Sequence, residues 1–229
     1  MSKHTNLGQY TTAALGQYYE LIPRNLGADA HLSKRGMTFD TKSCEIRDIG
    51  HLCVMRMNAF MGLMKMETIV IAPTGVDMPL FNVDWVSAFG TETLIAELYD
   101  TQLEPWPEEA QKKFEEIQEE YLDVEDYESG EHWYDSILDP VSIHKKGKGL
   151  TERFNDAAKD YIDLFAAELA AAGKCPADLK RARVSDFART LVENDGPAVN
   201  MMAKLFGEET MRRIVLKHMY GIESGRQVQ

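Results

Sequence analysis

One carboxylate stands among residues that belong in a core. Asp84 lies between Leu80, Phe81, Val83, Trp85 and Val86, and an acid buried there must be paired, protonated or used. Two readings follow from the residues. An acid at a strand end can accept backbone N–H bonds and do nothing more. A buried acid with a raised pKa can instead hold a proton near neutral pH and give it to a substrate. The other usual chemistries are missing. No Gly-rich dinucleotide fingerprint follows a strand, no phosphate-cradling loop ends in Gly-Lys-Ser/Thr, and no Gly-x-Ser-x-Gly elbow occurs. The six histidines, His4, His31, His51, His132, His144 and His218, have no metal-ligand spacing. An enzyme of this sequence is expected to carry no flavin, nicotinamide or metal of its own.

The stretch around Asp84 carries a resemblance. A small-residue turn, Asp77-x-Pro79, bulky residues, Val83-Asp84-Trp85 and then a strand ending Asp100-Thr101-Gln102 resemble the ferredoxin-dependent bilin reductases. A second segment agrees: Glu193-Asn194-Asp195-Gly196-Pro197, then Leu205-Phe206-Gly207-Glu208-Glu209, is similar to the family's acidic pair and its Phe-Gly-Glu motif. The red chlorophyll catabolite reductases share the superfamily, and Met202–Val215 also resembles their C-terminal helix. The Met78–Trp85 segment favours the bilin branch.

The resemblance implies an α+β fold, a three-layer α/β/α sandwich with a central antiparallel sheet flanked by helices. It implies a substrate, biliverdin or a dihydrobiliverdin, that is its own chromophore, and electrons delivered singly by an external ferredoxin. Asp84 matches the family aspartate that lies over the bilin and takes part in proton transfer. Asp195 is the second expected acid: with Phe206-Gly207-Glu208 on the family motif, the family aspartate falls on Gly196, and a one-residue shift restores Asp195. From the residues alone, Asp195 before Gly-Pro is equally a helix N-cap. The family His or Asn across the bilin falls on Thr68, whose hydroxyl can hydrogen-bond a lactam but cannot act as a cationic acid. The family glutamate on the preceding strand is replaced by Met57, beside Arg56. Lys145 stands where the family has an arginine near a bilin propionate, keeping the charge and losing the bidentate fork. Thr68, Arg56, Met57 and Lys145 are therefore the expected substrate contacts. The losses at Thr68 and Met57 leave open a non-catalytic tetrapyrrole carrier, and the acidic segment 104–131 leaves open a scaffold.

Composition bounds the rest. A chain of 229 residues, 44% hydrophobic and 27% charged, reads as one soluble globular domain over 1–229. Nothing approaches the roughly 18 consecutive apolar residues of a membrane span, and Met1–Tyr10 lacks a signal-peptide core. Three scattered cysteines, Cys44, Cys53 and Cys175, give no disulfide framework. A cytoplasmic monomer is expected. The net charge of −12 argues against nucleic acid. It also means an acidic ferredoxin would need a locally basic face, for which 144–148, 180–189 and 212–218 are candidates.

The elements that must position these residues are legible by period. Residues 8–21 read as a helix ending before Pro23, and 25–36 as a polar stretch. Residues 37–46, 51–58, 66–72, the segment around Asp84 and 93–99 read as strands of an antiparallel sheet. Six of the 12 methionines fall between Met55 and Met78, as adaptable core or as pocket lining. Pro107 opens a helix through Glu120, with an acidic loop over 123–130 anchored by Trp133 and Tyr134. Residues 150–172 form the clearest helix, with Thr151 as N-cap and Gly173 as stop. Ser185 is expected to cap a helix through Val192, and a last helix from Glu208 turns Met211, Ile214, Val215 and Met219 inward.

Overall fold

The computed structural model describes residues 6–128, 130–194 and 197–222. Its centre is an eight-stranded antiparallel sheet: β1 (Leu21–Pro23), β2 (His31–Lys34), β3 (Met37–Ile46), β4 (Gly50–Ala59), β5 (Met64–Pro73), β6 (Leu80–Ala88), β7 (Thr91–Tyr99) and β8 (Ile143–Gly147). Strands β3 to β7 are a meander of sequential neighbours. Strands β1 and β2 both pair with β3 at one margin, and β8 pairs with β7 at the other. Short turns make this order possible. Two-residue loops, Arg35-Gly36 and Phe89-Gly90, place both residues at positive φ, as the turns that match strand twist require.

Because side chains alternate along a strand, the sheet offers two faces. One is covered by α1 (Leu7–Leu15), α2 (Glu108–Glu119) and α3 (Thr151–Ala171). There Ile69, Phe81, Val83 and Leu94 meet Phe114, Phe154 and Phe165, and the Phe81 and Phe165 rings stack with centroids 4.5 Å apart. The other face is covered by α4 (Ala177–Glu193), α5 (Pro197–Phe206), α6 (Glu208–Arg212) and a π-helical turn, Arg213–Met219. There Met55, Met57, Val70 and Leu80 meet Val184, Met202, Met211 and Ile214. This is the three-layer sandwich expected. No helix among the described residues is long and apolar enough to cross a membrane.

Local chemistry explains the departures from the expected elements. The first helix stops at Leu15 and residues 21–23 join the sheet as β1. The polar stretch after it contains a 3-10 turn (Gly27–Ala30) and β2. Strand β8, rich in lysine, carries too few apolar residues to be read as a strand. Thr151 is the first helical residue and not the cap: its hydroxyl donates to buried Glu92, which also accepts the Leu150 N–H at 3.0 Å. Gly173 does not terminate α3, since Ala172 already leaves the helix in an extended conformation. Ser185 lies inside α4, accepting from Arg189 Nε; the helix opens eight residues earlier, behind Pro176. Trp133 and Tyr134 do anchor the segment after α2, packing on Phe187 and Tyr99. The last helix begins at Glu208 and buries Met211, Ile214 and Val215, with Met219 half-buried.

A buried polar network fastens the π-helical turn. Asp29 accepts from Arg213 Nε at 2.6 Å and Nη2 at 2.8 Å, and its Oδ2 lies 3.0 Å from His218 Nε2. His51 Nε2 lies 2.8 Å from the His218 carbonyl. The Arg213 guanidinium, helped by His218, holds the Asp29 carboxyl down at about 2 against the cost of burial. Its stabilisation is therefore present above the ordinary carboxylate pKa and lost as pH falls from about 4 toward 2. Replacing Asp29 by Ala removes the acceptor shared by the half-buried Arg213 guanidinium and the buried His218 ring. An equilibrium denaturation midpoint at pH 7 should fall by the equivalent of roughly 1–3 kcal/mol, and most of the difference should vanish near pH 2.

Candidate functional site

Strand β6 runs through the sheet with β5 on one side and β7 on the other, and Asp84 sits on it facing α4–α6. The register pairs Thr68 with Asp84 and Asp84 with Ile95. The Thr68 hydroxyl donates to Asp84 Oδ1, and Asn82 Nδ2 donates to Oδ2 at 2.8 Å. Both partners are neutral. Desolvation is the largest influence on Asp84, and the nearby Glu97 carboxylate adds to it. Together they push the Asp84 pKa up to about 6 against the two hydrogen bonds. The residue is enclosed yet keeps a partly exposed edge, so it can exchange its proton.

More polar groups share this face. Glu97 on β7 is buried. It accepts the Tyr99 O–H at 2.5 Å and a long 3.4 Å contact from Asn82 Nδ2, and its Oε1 lies 2.9 Å from His144 Nε2 on β8. Burial raises the Tyr134 and Tyr220 phenols above their ordinary range, with Asp84 and Glu97 contributing to both. The result is a patch of two carboxyls, one imidazole and three phenols between the sheet and its α4–α6 cover. Among the described residues no three or more His, Cys, Asp or Glu side chains converge to hold a metal ion.

The expected site residues divide by strand parity. Thr68 touches Asp84, and Met57 lies on the same face, 2% exposed in the apolar layer. Arg56 and Lys145 lie on the opposite face and have other work. Arg56 holds Glu67 Oε1 through Nε at 3.0 Å and Nη2 at 2.8 Å. Glu67 in turn accepts the N–H groups of Leu7 and Gly8 at the start of α1, where a helix favours an anion. Gly8 permits that approach: a Cβ there would lie 2.3 Å from Val54 Cγ1. Lys145 donates to the Val124 carbonyl at 3.2 Å and to Asp126 at 2.7 Å, pinning the acidic loop. Neither cation reaches the Asp84 face. Asp195 lies outside the described residues.

Glu97, Asn82 and His144 escaped the sequence reading. Glu97 carries the same signal as Asp84, one acid inside an apolar run. His144 was concealed in a lysine cluster, and only the pairing of Ile95 with His144 brings it to this face.

No family model matches the chain, and no curated protein sequence matches it. A solved structure of phytochromobilin synthase from tomato, in complex with biliverdin, is similar in fold. Its TM-score is 0.74 at 13% identity, over 93% of this chain and 81% of that one. The chain therefore shares the α/β/α fold of that protein.

The Asp84 pKa makes a stability prediction. The folded state holds this proton more tightly than the unfolded chain, whose aspartate titrates near 3.9. The stabilisation is complete below about pH 4 and is lost as pH rises through about 6. Above that pH the ionised carboxylate costs at most about 3 kcal/mol, less for its exposed edge. Asp84→Asn should thus raise the denaturation midpoint at pH 8 relative to wild type and bring no gain at pH 4.

Proposed function

We propose that the protein binds a linear tetrapyrrole between the sheet and the α4–α6 layer and reduces it with electrons from ferredoxin. The observation that carries this reading is Asp84. It is a carboxyl with only neutral hydrogen-bond partners, titrating near pH 6, on a sheet face of a fold shared with a biliverdin-bound synthase. The bilin-reductase resemblance of the 75–102 and 193–209 segments points to the same ligand class.

A two-electron reduction of a conjugated tetrapyrrole consumes two electrons and two protons. Ferredoxin supplies the electrons one at a time, so each added electron makes the bound pigment more basic and ready to take a proton. The Asp84 carboxyl is a donor matched to that task near neutral pH. Thr68 fixes Oδ1 and Asn82 fixes Oδ2, which orients the remaining proton position toward the ligand. Met57 and Met55 supply adaptable apolar surface for a large flat ring system. Which double bond is reduced depends on where each pyrrole lies along the row, and the product is read by chromatography.

The test is anaerobic mixing of the purified protein with biliverdin, ferredoxin, its reductase and NADPH, followed by absorption spectroscopy. A bound-bilin spectrum converting to a new bilin is expected. Asp84→Asn should keep the bound spectrum and slow conversion by about 100-fold or more, the scale of a lost general acid, stalling at a radical intermediate. A bound spectrum that never changes in wild type identifies a carrier. No spectral change on mixing rules out this face for bilins.

A further inference from the structure

Three buried glutamates lie on the sheet, and two of them have structural work. Glu67 meets Arg56 and the first N–H groups of α1. Glu92 meets the N–H of Leu150 and the hydroxyl of Thr151 at the start of α3. Among the described residues Glu97 meets neither a helix start nor an arginine or lysine, and its one basic neighbour within ion-pair distance is His144. A carboxyl 5% exposed needs a partner nearby. Here the partner is an imidazole, a group that can carry a proton and give it up.

His144 is placed for more than pairing. It follows Asp84 and Ile95 in one cross-strand row, which puts it about 10 Å from Asp84 at the usual strand spacing. Its Nε2 is buried 2.9 Å from Glu97 Oε1, yet among the described residues it makes no hydrogen bond of good geometry. The contact leaves this nitrogen free to serve another partner. From the covering layer Tyr134 and Tyr220 face the same patch, their phenols kept protonated by burial. Tyr99, from β7 itself, is committed to Glu97.

We infer that His144, held by Glu97, is a second proton donor of this face, acting on a different part of the ligand from Asp84. The inference rests on the functional reading above. One reduction then balances as two electrons from the iron–sulfur donor, one proton from the Asp84 carboxyl and one from the His144 imidazolium. The ligand gains two hydrogens, and a carboxylate and a neutral imidazole remain to be reprotonated from solvent. His144, with a side chain 21% exposed, has access to it. Thr68 cannot act as a cationic acid, and His144 supplies one from the other side of Asp84. Glu97 is the positioning residue.

Single-turnover reduction of bound biliverdin, followed across pH, tests the assignment in His144→Gln, Glu97→Gln and Asp195→Asn. His144→Gln should retain the bound spectrum, lose at least tenfold in rate and lose one limb of the pH profile. Glu97→Gln should slow the same step without abolishing it. In the ligand-free protein, the His144 ring resonances should shift in Glu97→Gln, reporting loss of the 2.9 Å contact. A His144→Gln profile superimposing on wild type overturns the donor role while leaving the bilin reading intact, as does loss of the limb in Asp195→Asn instead. Unmoved ring resonances overturn the pairing. Wild-type protein that leaves biliverdin unreduced overturns the functional reading and the donor role together.

Discussion

Everything at this site depends on a carboxyl group placed where neither bulk water nor a fixed cation can stabilise its charge. Asp84 is on the strand with β5 and β7 on either side and a helical layer above. Its hydrogen-bond partners are a hydroxyl and an amide. Burial then decides the outcome, and the proton stays on to about pH 6. Asp29, in the 3-10 turn before β2, shows the opposite case: a bidentate guanidinium holds it ionised down to about 2. The two aspartates differ in their partners. One has a cation to fasten, and the other has only neutral hydrogen-bond donors.

The same division runs through the two faces of the sheet. On the α1–α3 side the buried charges are spent on structure. Arg56 and Glu67 cap α1, Glu92 caps α3, and Lys145 holds the acidic loop. On the α4–α6 side the sheet carries Thr68, Asn82, Asp84, Glu97, Tyr99 and His144, with the phenols of Tyr134 and Tyr220 facing them from the cover. The cover there is α4 followed by short pieces and a π-helical turn, a feature frequent at functional sites. The Asp29–Arg213–His218 network holds that turn against the sheet. Two sets of buried polar groups thus share one backbone, separated by the alternation of side chains.

That alternation also marks how much was legible in advance. Long strands with apolar periodicity, β3 to β7, were readable, and so was the anomaly of Asp84. Strand β8 was not, because Lys145, Lys146 and Lys148 conceal a five-residue pairing that only the neighbouring strand reveals. Helix ends were read from single cap residues. They failed where a buried glutamate did the capping, as at Thr151, or where the helix opened eight residues early, as at Ser185. Arg56 and Lys145 were expected beside the ligand from their places in the chain. Counting alternate residues from Asp84 through the pairing of β6 with its neighbours sends both to the far face, and strand register is what a single sequence lacks. Glu97 needed no structure at all: it is an acid in an apolar strand, the signal that singled out Asp84.

The central claim is that Asp84 carries a proton near neutral pH, and infrared difference spectroscopy reads that proton directly. The carboxyl C=O stretch present in wild type and absent in Asp84→Asn, followed from pH 4 to pH 8, should disappear with a midpoint near pH 6. A band already absent at pH 5 would mean an ordinary ionised aspartate, and the proton chemistry assigned to this face would have to be abandoned.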